Sequence, residues 1–138
     1  MHGHTSTIRC LKVLDGRPVA VTGARDASIR VWDIERGVSL HHLAGHTHSV
    51  RCIEIAGHYC VSGSYDCTAR VSRAVLIFPS VRPSYLSCHT QVWNLETGEC
   101  LHVLRGHYHQ IYDVAFDGEK VATGSLDSTV RIWSAATG

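Results

Sequence analysis

The chain has 138 residues, a formal net charge of +1 and a composition that is 44% apolar and 18% charged, which suits one soluble globular domain. No apolar run approaches the roughly 20 residues of a membrane helix, no secretory leader is visible, and near-neutral charge gives no global pull toward nucleic acid or anionic membrane. An intracellular protein is expected, with Cys10, Cys52, Cys60, Cys67, Cys88 and Cys100 kept reduced as small apolar side chains in the absence of any Cys-x-x-Cys pair.

In chain order, Gly3-His4 is followed by Ile8 to Val13, a turn at Asp15-Gly16, Val19 to Gly23, a tight turn at Arg25-Asp26, and Ser28 to Trp32. These are short β runs separated by turn residues, and Ser39 to Leu43 adds a fourth. Gly45-His46 opens a second copy, with Val50 to Ile55, Cys60 to Gly63, a broken third strand ending at Trp93, and Cys100 to Leu104. Gly106-His107 opens a third, with Ile111 to Phe116, Val121 to Gly124 and Thr129 to Trp133, and no outer strand. Repetition at roughly 40 residues, each unit four short strands, predicts an all-β fold of antiparallel propeller blades. The repeats span about 3–44, 45–105 and 106–138.

Each copy also repeats four polar or aromatic positions: His4, Thr22, Asp26 and Trp32; His46, Ser62, Asp66 and Trp93; His107, Thr123, Asp127 and Trp133. These sets resemble WD repeats, in which such a tetrad is hydrogen-bonded inside every blade. The Trp-Asp ending survives at Trp32-Asp33, while Trp93-Asn94 and Trp133-Ser134 depart from it. Ser or Thr, His and Asp also suggest acyl transfer, but a nucleophile site is built once whereas a structural lock recurs in every repeat. No enzyme site, cofactor or metal is therefore expected. The other histidines lack ligand spacing, and adjacent His41 and His42 point to opposite faces of a strand.

From Asp to Trp the copies count 6, 27 and 6 residues, so the second carries 21 extra, Val71 to Gln91. Removing them restores Gly45 to Gly106 from 61 to 40 residues. The segment interrupts a strand, not a turn, and holds Pro79 and Pro83, which cannot donate to a β ladder. Val71-Ser72 can be encoded by GTGAGT or GTAAGT and Gln91 by CAG, so a retained intron of 63 nucleotides, translated in frame, is the expectation. The other reading is a loop that packs Val75 to Phe78 on the propeller side.

Residues that the blade does not require point to binding. Five positions after each His lie Arg9, Arg51 and Tyr112; before each turn Asp lie Arg25, Tyr65 and Leu126. Both positions fall on one rim near the central channel, so Arg9, Arg25 and Arg51 are expected to converge, and guanidinium groups suit phosphate. Arg30, Arg70 and Arg131 share one strand position beside the Trp and are expected to pack there.

Around these residues, Gly3 to Cys10, Gly23 to Ala27, Ser49 to Cys52 and Glu96 to His102 resemble the middle repeats of the F-box/WD-repeat substrate receptors of SCF ubiquitin ligases, the cell division control protein four group. The resemblance implies that Arg9, Arg25 and Arg51 grip the phosphothreonine of a degron and that Tyr65 and Tyr112 line the groove. It implies phosphorylated protein partners, a ligase core only where a longer product carries an F-box, neither nucleic acid nor membrane, and a place in the nucleus, the cytoplasm or both. Three blades leave an incomplete ring with open edges, so a fragment or a misread gene of a longer receptor is expected. The alternative is a general WD-repeat scaffold in another multiprotein complex.

Overall fold

A computed structural model describes residues 2–66, 69–70, 89–95 and 98–138, with residues 69–70 and 89–94 given by their backbone. The strands are β1 Ile8–Val13, β2 Val19–Ala24, β3 Ser28–Asp33, β4 Val38–Ala44, β5 Val50–Ala56, β6 Tyr59–Ser64, β7 Ala69–Arg70, β8 His89–Asn94, β9 Cys100–Arg105, β10 Ile111–Phe116, β11 Lys120–Ser125 and β12 Val130–Ser134. They form three sheets, β1-β2-β3-β4, β5-β6-β8-β7-β9 and β10-β11-β12, antiparallel but for one short ladder in the middle sheet. Each is one predicted blade, and the third has three strands. The antiparallel connections follow from the turns: Gly16 and Gly57 sit at φ of +72° and +58° between first and second strands, a backbone region that glycine enters without steric cost.

The core lies between the blades rather than inside any one of them. Val21, Ile29, Val31 and Leu43 of the first blade pack on Val50, Ile53, Cys60 and Leu95 of the second. Cys52, Val61 and Leu104 of the second blade pack on Ile111, Val114 and Val121 of the third. Close approach requires glycine near the end of the second strand in the first two blades. A Cβ at Gly23 would lie 2.6 Å from Val50 Cγ1, and one at Gly63 2.7 Å from Ile111 Cγ2. Lys12 on β1 also reaches Glu54 on β5 at 2.9 Å, an exposed pair contributing little beyond about 1 kcal/mol.

The cysteines behave as the sequence suggests where they are described. Cys10, Cys52, Cys60 and Cys100 form no disulfide, and burial pushes the Cys10 thiol up to about 12 and the Cys52 and Cys60 thiols well above the ordinary range too. Thiols held protonated in this way pack as small hydrophobes and are poor nucleophiles.

In the middle sheet two chain segments claim one place. Ala69 and Arg70 oppose Leu104 and Val103 of β9, and Thr90 and Gln91 oppose the same two residues. β7 and β8 pair in parallel where they meet, the one parallel ladder among the described strands. The last three residues of the extra segment, 89–91, thus extend the strand that ends at Asn94, and residues 71–88 lie outside the described residues.

Candidate functional site

Two sets of residues define the site, a lock that fixes each turn and a rim that the lock positions. In the first blade the Trp32 indole N–H donates to Thr22 Oγ1 at 2.7 Å. Thr22 Oγ1 is hydrogen-bonded to His4 Nε2 at 2.8 Å, and His4 Nδ1–H donates to Asp26 at 3.0 Å. The third blade repeats this through Trp133, Thr123, His107 and Asp127 at 2.9, 2.8 and 2.7 Å. In the second, His46 bridges Ser62 and Asp66 at 2.9 Å on each side; the Trp93 side chain lies outside the described residues. Because the carboxylate only accepts, the histidine carries a hydrogen on Nδ1, and because the indole only donates, the hydroxyl oxygen accepts from it. The hydroxyls of Thr22, Ser62 and Thr123 are buried inside this relay.

The aspartate also holds its own turn. Asp26 accepts from the amides of Thr5 at 2.8 Å and Ser28 at 3.0 Å, and Asp127 from those of Tyr108 at 3.1 Å and Thr129 at 2.9 Å. The residues between, Ala27 and Ser128, sit at φ of +67° and +65°, and this strained left-handed backbone is offset by the aspartate bonds. Burial opposes ionisation of Asp26. The Ser28 hydroxyl, the Thr5 and Ser28 amides and His4 outweigh it and hold the carboxyl well below the usual carboxylate range. Asp127 is lowered in the same way against its own desolvation, by Thr129, His107 and the Tyr108 amide.

Arg30 and Arg131 take the packing role expected of them. Arg30 Cζ stands 5.9 Å from the Trp32 ring centroid, and a Cβ at Gly3 would lie 2.9 Å from the Arg30 guanidinium. At Gly106 the same construction falls 2.8 Å from Arg131. The Gly of the first and third Gly-His pairs is where this arginine passes. The Arg70 side chain lies outside the described residues.

The rim is built by a backbone irregularity found in all three blades. Pairing between first and second strands slips by one residue between Ile8 and Cys10, between Val50 and Cys52, and between Ile111 and Asp113. Arg9, Arg51 and Tyr112 are therefore the extra residue of a β-bulge, a feature that re-aims a side chain out of the ladder. Beside each bulge, the amide of the residue before the turn Asp bonds the carbonyl just ahead of the first strand: Arg25 to Thr7 at 2.8 Å, Tyr65 to Ser49 at 3.0 Å, Leu126 to Gln110 at 3.0 Å. All five predicted binding residues thus sit at one end of the strands.

Two blades meet there directly. Arg51 Cζ lies 5.8 Å from the Tyr112 ring centroid, and the Tyr65 and Tyr112 rings are 5.5 Å apart at 32°. Hydrogen bonding of its O–H with Tyr65 pushes the Tyr112 hydroxyl pKa up, against the pull of Arg51. Arg9 and Arg25 are exposed at the same end of the first blade. Tyr112 also borders a shallow cleft of about 250 Å³ with Asp113, Leu126 and Val130. The larger clefts, about 570 and 380 Å³, open at the other strand ends and include none of these residues. Among the described residues no group of three or more His, Cys, Asp or Glu is arranged to hold a metal.

A repeated β-bulge, a buried Trp-Thr-His-Asp relay and inter-blade cores together define a propeller-type binding scaffold. The WD domain, G-beta repeat family matches residues 1–33, 37–71 and 98–134, and the chain belongs to that family. It is 32% identical to cell division control protein 4 of Candida albicans over 97% of its length and 22% of that protein, and 33% identical to cell division control protein 4 of Saccharomyces cerevisiae over 99% of its length and 18% of that protein. It is also 32% identical to mitochondrial division protein 1 of Malassezia globosa over 96% of its length and 20% of that protein. The chain spans about one fifth of the length of these relatives.

Proposed function

We propose that the bulged rim binds phosphorylated segments of other proteins and that the chain acts in substrate recognition for ubiquitination. The observation that carries this reading is the threefold bulge, which aims Arg9, Arg51 and Tyr112 from equivalent positions while Arg25 and Tyr65 flank them. The turn carboxylates of that rim, Asp26, Asp66 and Asp127, are engaged by histidines at 3.0, 2.9 and 2.7 Å, which leaves the guanidinium groups to meet an anion. Phosphate accepts paired N–H bonds from arginine, and a tyrosine pair supplies a wall for a neighbouring proline or apolar residue. Similarity to two cell division control proteins supports the same reading. Docking to a ligase core would need an F-box elsewhere in a longer product.

Fluorescence anisotropy with threonine-proline peptides tests it. The phosphorylated peptide is expected to bind and the unphosphorylated one not, and Arg51→Ala or Arg9→Ala should weaken binding by about 10–100-fold, the worth of a hydrogen bond to a charged group. Equal binding of the two peptides, or arginine variants without effect, would overturn the proposal. The second reading, a scaffold in another multiprotein complex, draws on the equal identity to mitochondrial division protein 1; that outcome would show as partner binding indifferent to phosphorylation.

A further inference from the structure

Tyr65 and Tyr112 meet hydroxyl to hydroxyl across the contact between the second and third blades. Their ring centroids are 5.5 Å apart at 32°, and the two side chains are hydrogen-bonded to one another. In a phenol the ring carbons on either side of the hydroxyl-bearing carbon carry much of the unpaired electron once the group is oxidised. A contact between the hydroxyls therefore brings one such ortho carbon of each ring to the shared edge.

The surroundings hold the pair and leave it open. Tyr65 precedes the turn aspartate of its blade, Tyr112 is the bulge residue of the next, and Arg51 rests over the Tyr112 ring from the blade that carries Tyr65. Tyr112 is 42% exposed and Tyr65 is half-buried, so an oxidant in solution reaches both. The thiols of Cys10, Cys52 and Cys60 compete poorly for it, because burial keeps them protonated and the thiolate is the form that oxidises.

We infer that Tyr65 and Tyr112 are an oxidative cross-linking site, at which hydrogen peroxide and a peroxidase join the two rings as dityrosine and fasten the second blade to the third. The O–O bond of the peroxide breaks, each phenol gives up one electron and one proton, and two molecules of water result. The two phenoxyl radicals then couple: one C–C bond forms between ortho carbons, the C–H bond at each of those carbons breaks, and each ring returns that hydrogen to its own oxygen. Both phenols are restored and the chain is lighter by two hydrogens. Proximity selects the partner, since reactants held together react as one molecule. Tyr108 is far more exposed, at 80%, but the ring contacts among the described residues do not include it.

Oxidation of the 138-residue chain at low protein concentration, with a haem peroxidase and hydrogen peroxide, tests the site. Dityrosine fluorescence is expected at monomer mass, and peptide mapping by mass spectrometry should find the Tyr65 peptide joined to the Tyr112 peptide with two hydrogens missing. Tyr112→Phe and Tyr65→Phe should each abolish that product, and Tyr108→Phe should leave its yield unchanged, with circular dichroism reporting the fold of each variant. The mapping of the wild type decides without any variant: dityrosine found only between other tyrosines or between chains, or none at all, would overturn the proposal. A Tyr112→Phe chain that still forms the intrachain product would do the same.

Discussion

The Arg51 guanidinium rests over the Tyr112 ring, 5.8 Å from its centroid, so a cation of the second blade is paired with an aromatic of the third at the bulged rim. The pairing has a measurable sign. Tyr65 raises the Tyr112 pKa by hydrogen bonding and Arg51 lowers it. Tyr65→Phe should therefore bring Tyr112 ionisation to lower pH, and Arg51→Ala should move it higher, as followed by NMR of the ring carbons. Shifts of the same sign in both variants would contradict the contact.

The relay in the first blade predicts a large cost for a small change. Thr22→Val keeps the shape but leaves the Trp32 N–H and His4 Nε2 without their partner in a buried setting, at about 1–3 kcal/mol for each orphaned group. Urea unfolding should show a loss of about 2–4 kcal/mol. Thr123→Val should cost less, because Trp133 is more exposed than Trp32 and its N–H can reach water.

Acid should unlock the turns. The folded pKa values of Asp26 and Asp127 are depressed from the ordinary 3.8, so the unfolded chain takes up protons first as pH falls. Their contribution is complete above 3.8 and is lost progressively below it. Stability measured against pH should fall on that side, and Asp26→Asn should make the fall shallower while lowering stability at neutral pH. An unchanged acid slope in that variant would place the linkage elsewhere.

Gly23→Ala tests the blade contact from within. Its Cβ would meet Val50 Cγ1 at 2.6 Å and Cys10 Sγ at 2.7 Å, and overpacking of this kind costs about 1–3 kcal/mol. Chemical denaturation should register that loss; a neutral result would mean the two blades separate readily.

Deletion of residues 71–91 should stabilise the protein. It would leave Ala69-Arg70 continuous with Val92 and end the double claim on Val103 and Leu104, with a gain of about 1 kcal/mol or more from the shortened excursion and the completed ladder. Thermal unfolding of the deletion variant checks this. We further propose that mature transcripts lack the corresponding 63 nucleotides, and messages that always retain them would exclude a splicing origin.

The blades and their relay were legible in the sequence because a buried hydrogen-bond chain admits few residue types and must recur wherever it is used. The strand limits agree within a residue or two: Ser39 to Leu43 widens to Val38–Ala44, and Cys60 to Gly63 to Tyr59–Ser64. The bulge passed unnoticed, although its trace is present. Ile8, Leu11 and Val13 are spaced by three and then two, as are Val50, Ile53 and Ile55, and Ile111, Val114 and Phe116. A strand alternating every second residue does not give a spacing of three, and the additional residue is the one at the rim. Packing between blades was less legible, because Gly23, Gly63 and Gly124 look alike until their neighbours are placed.

One residue per blade has thus been freed from the demands of folding. The same slip in register is made whichever side chain the bulge carries, arginine in two blades and tyrosine in the third, so this residue can change while the pairing on either side of it stays the same. Evolution can respell the rim, blade by blade, without rewriting the scaffold that displays it.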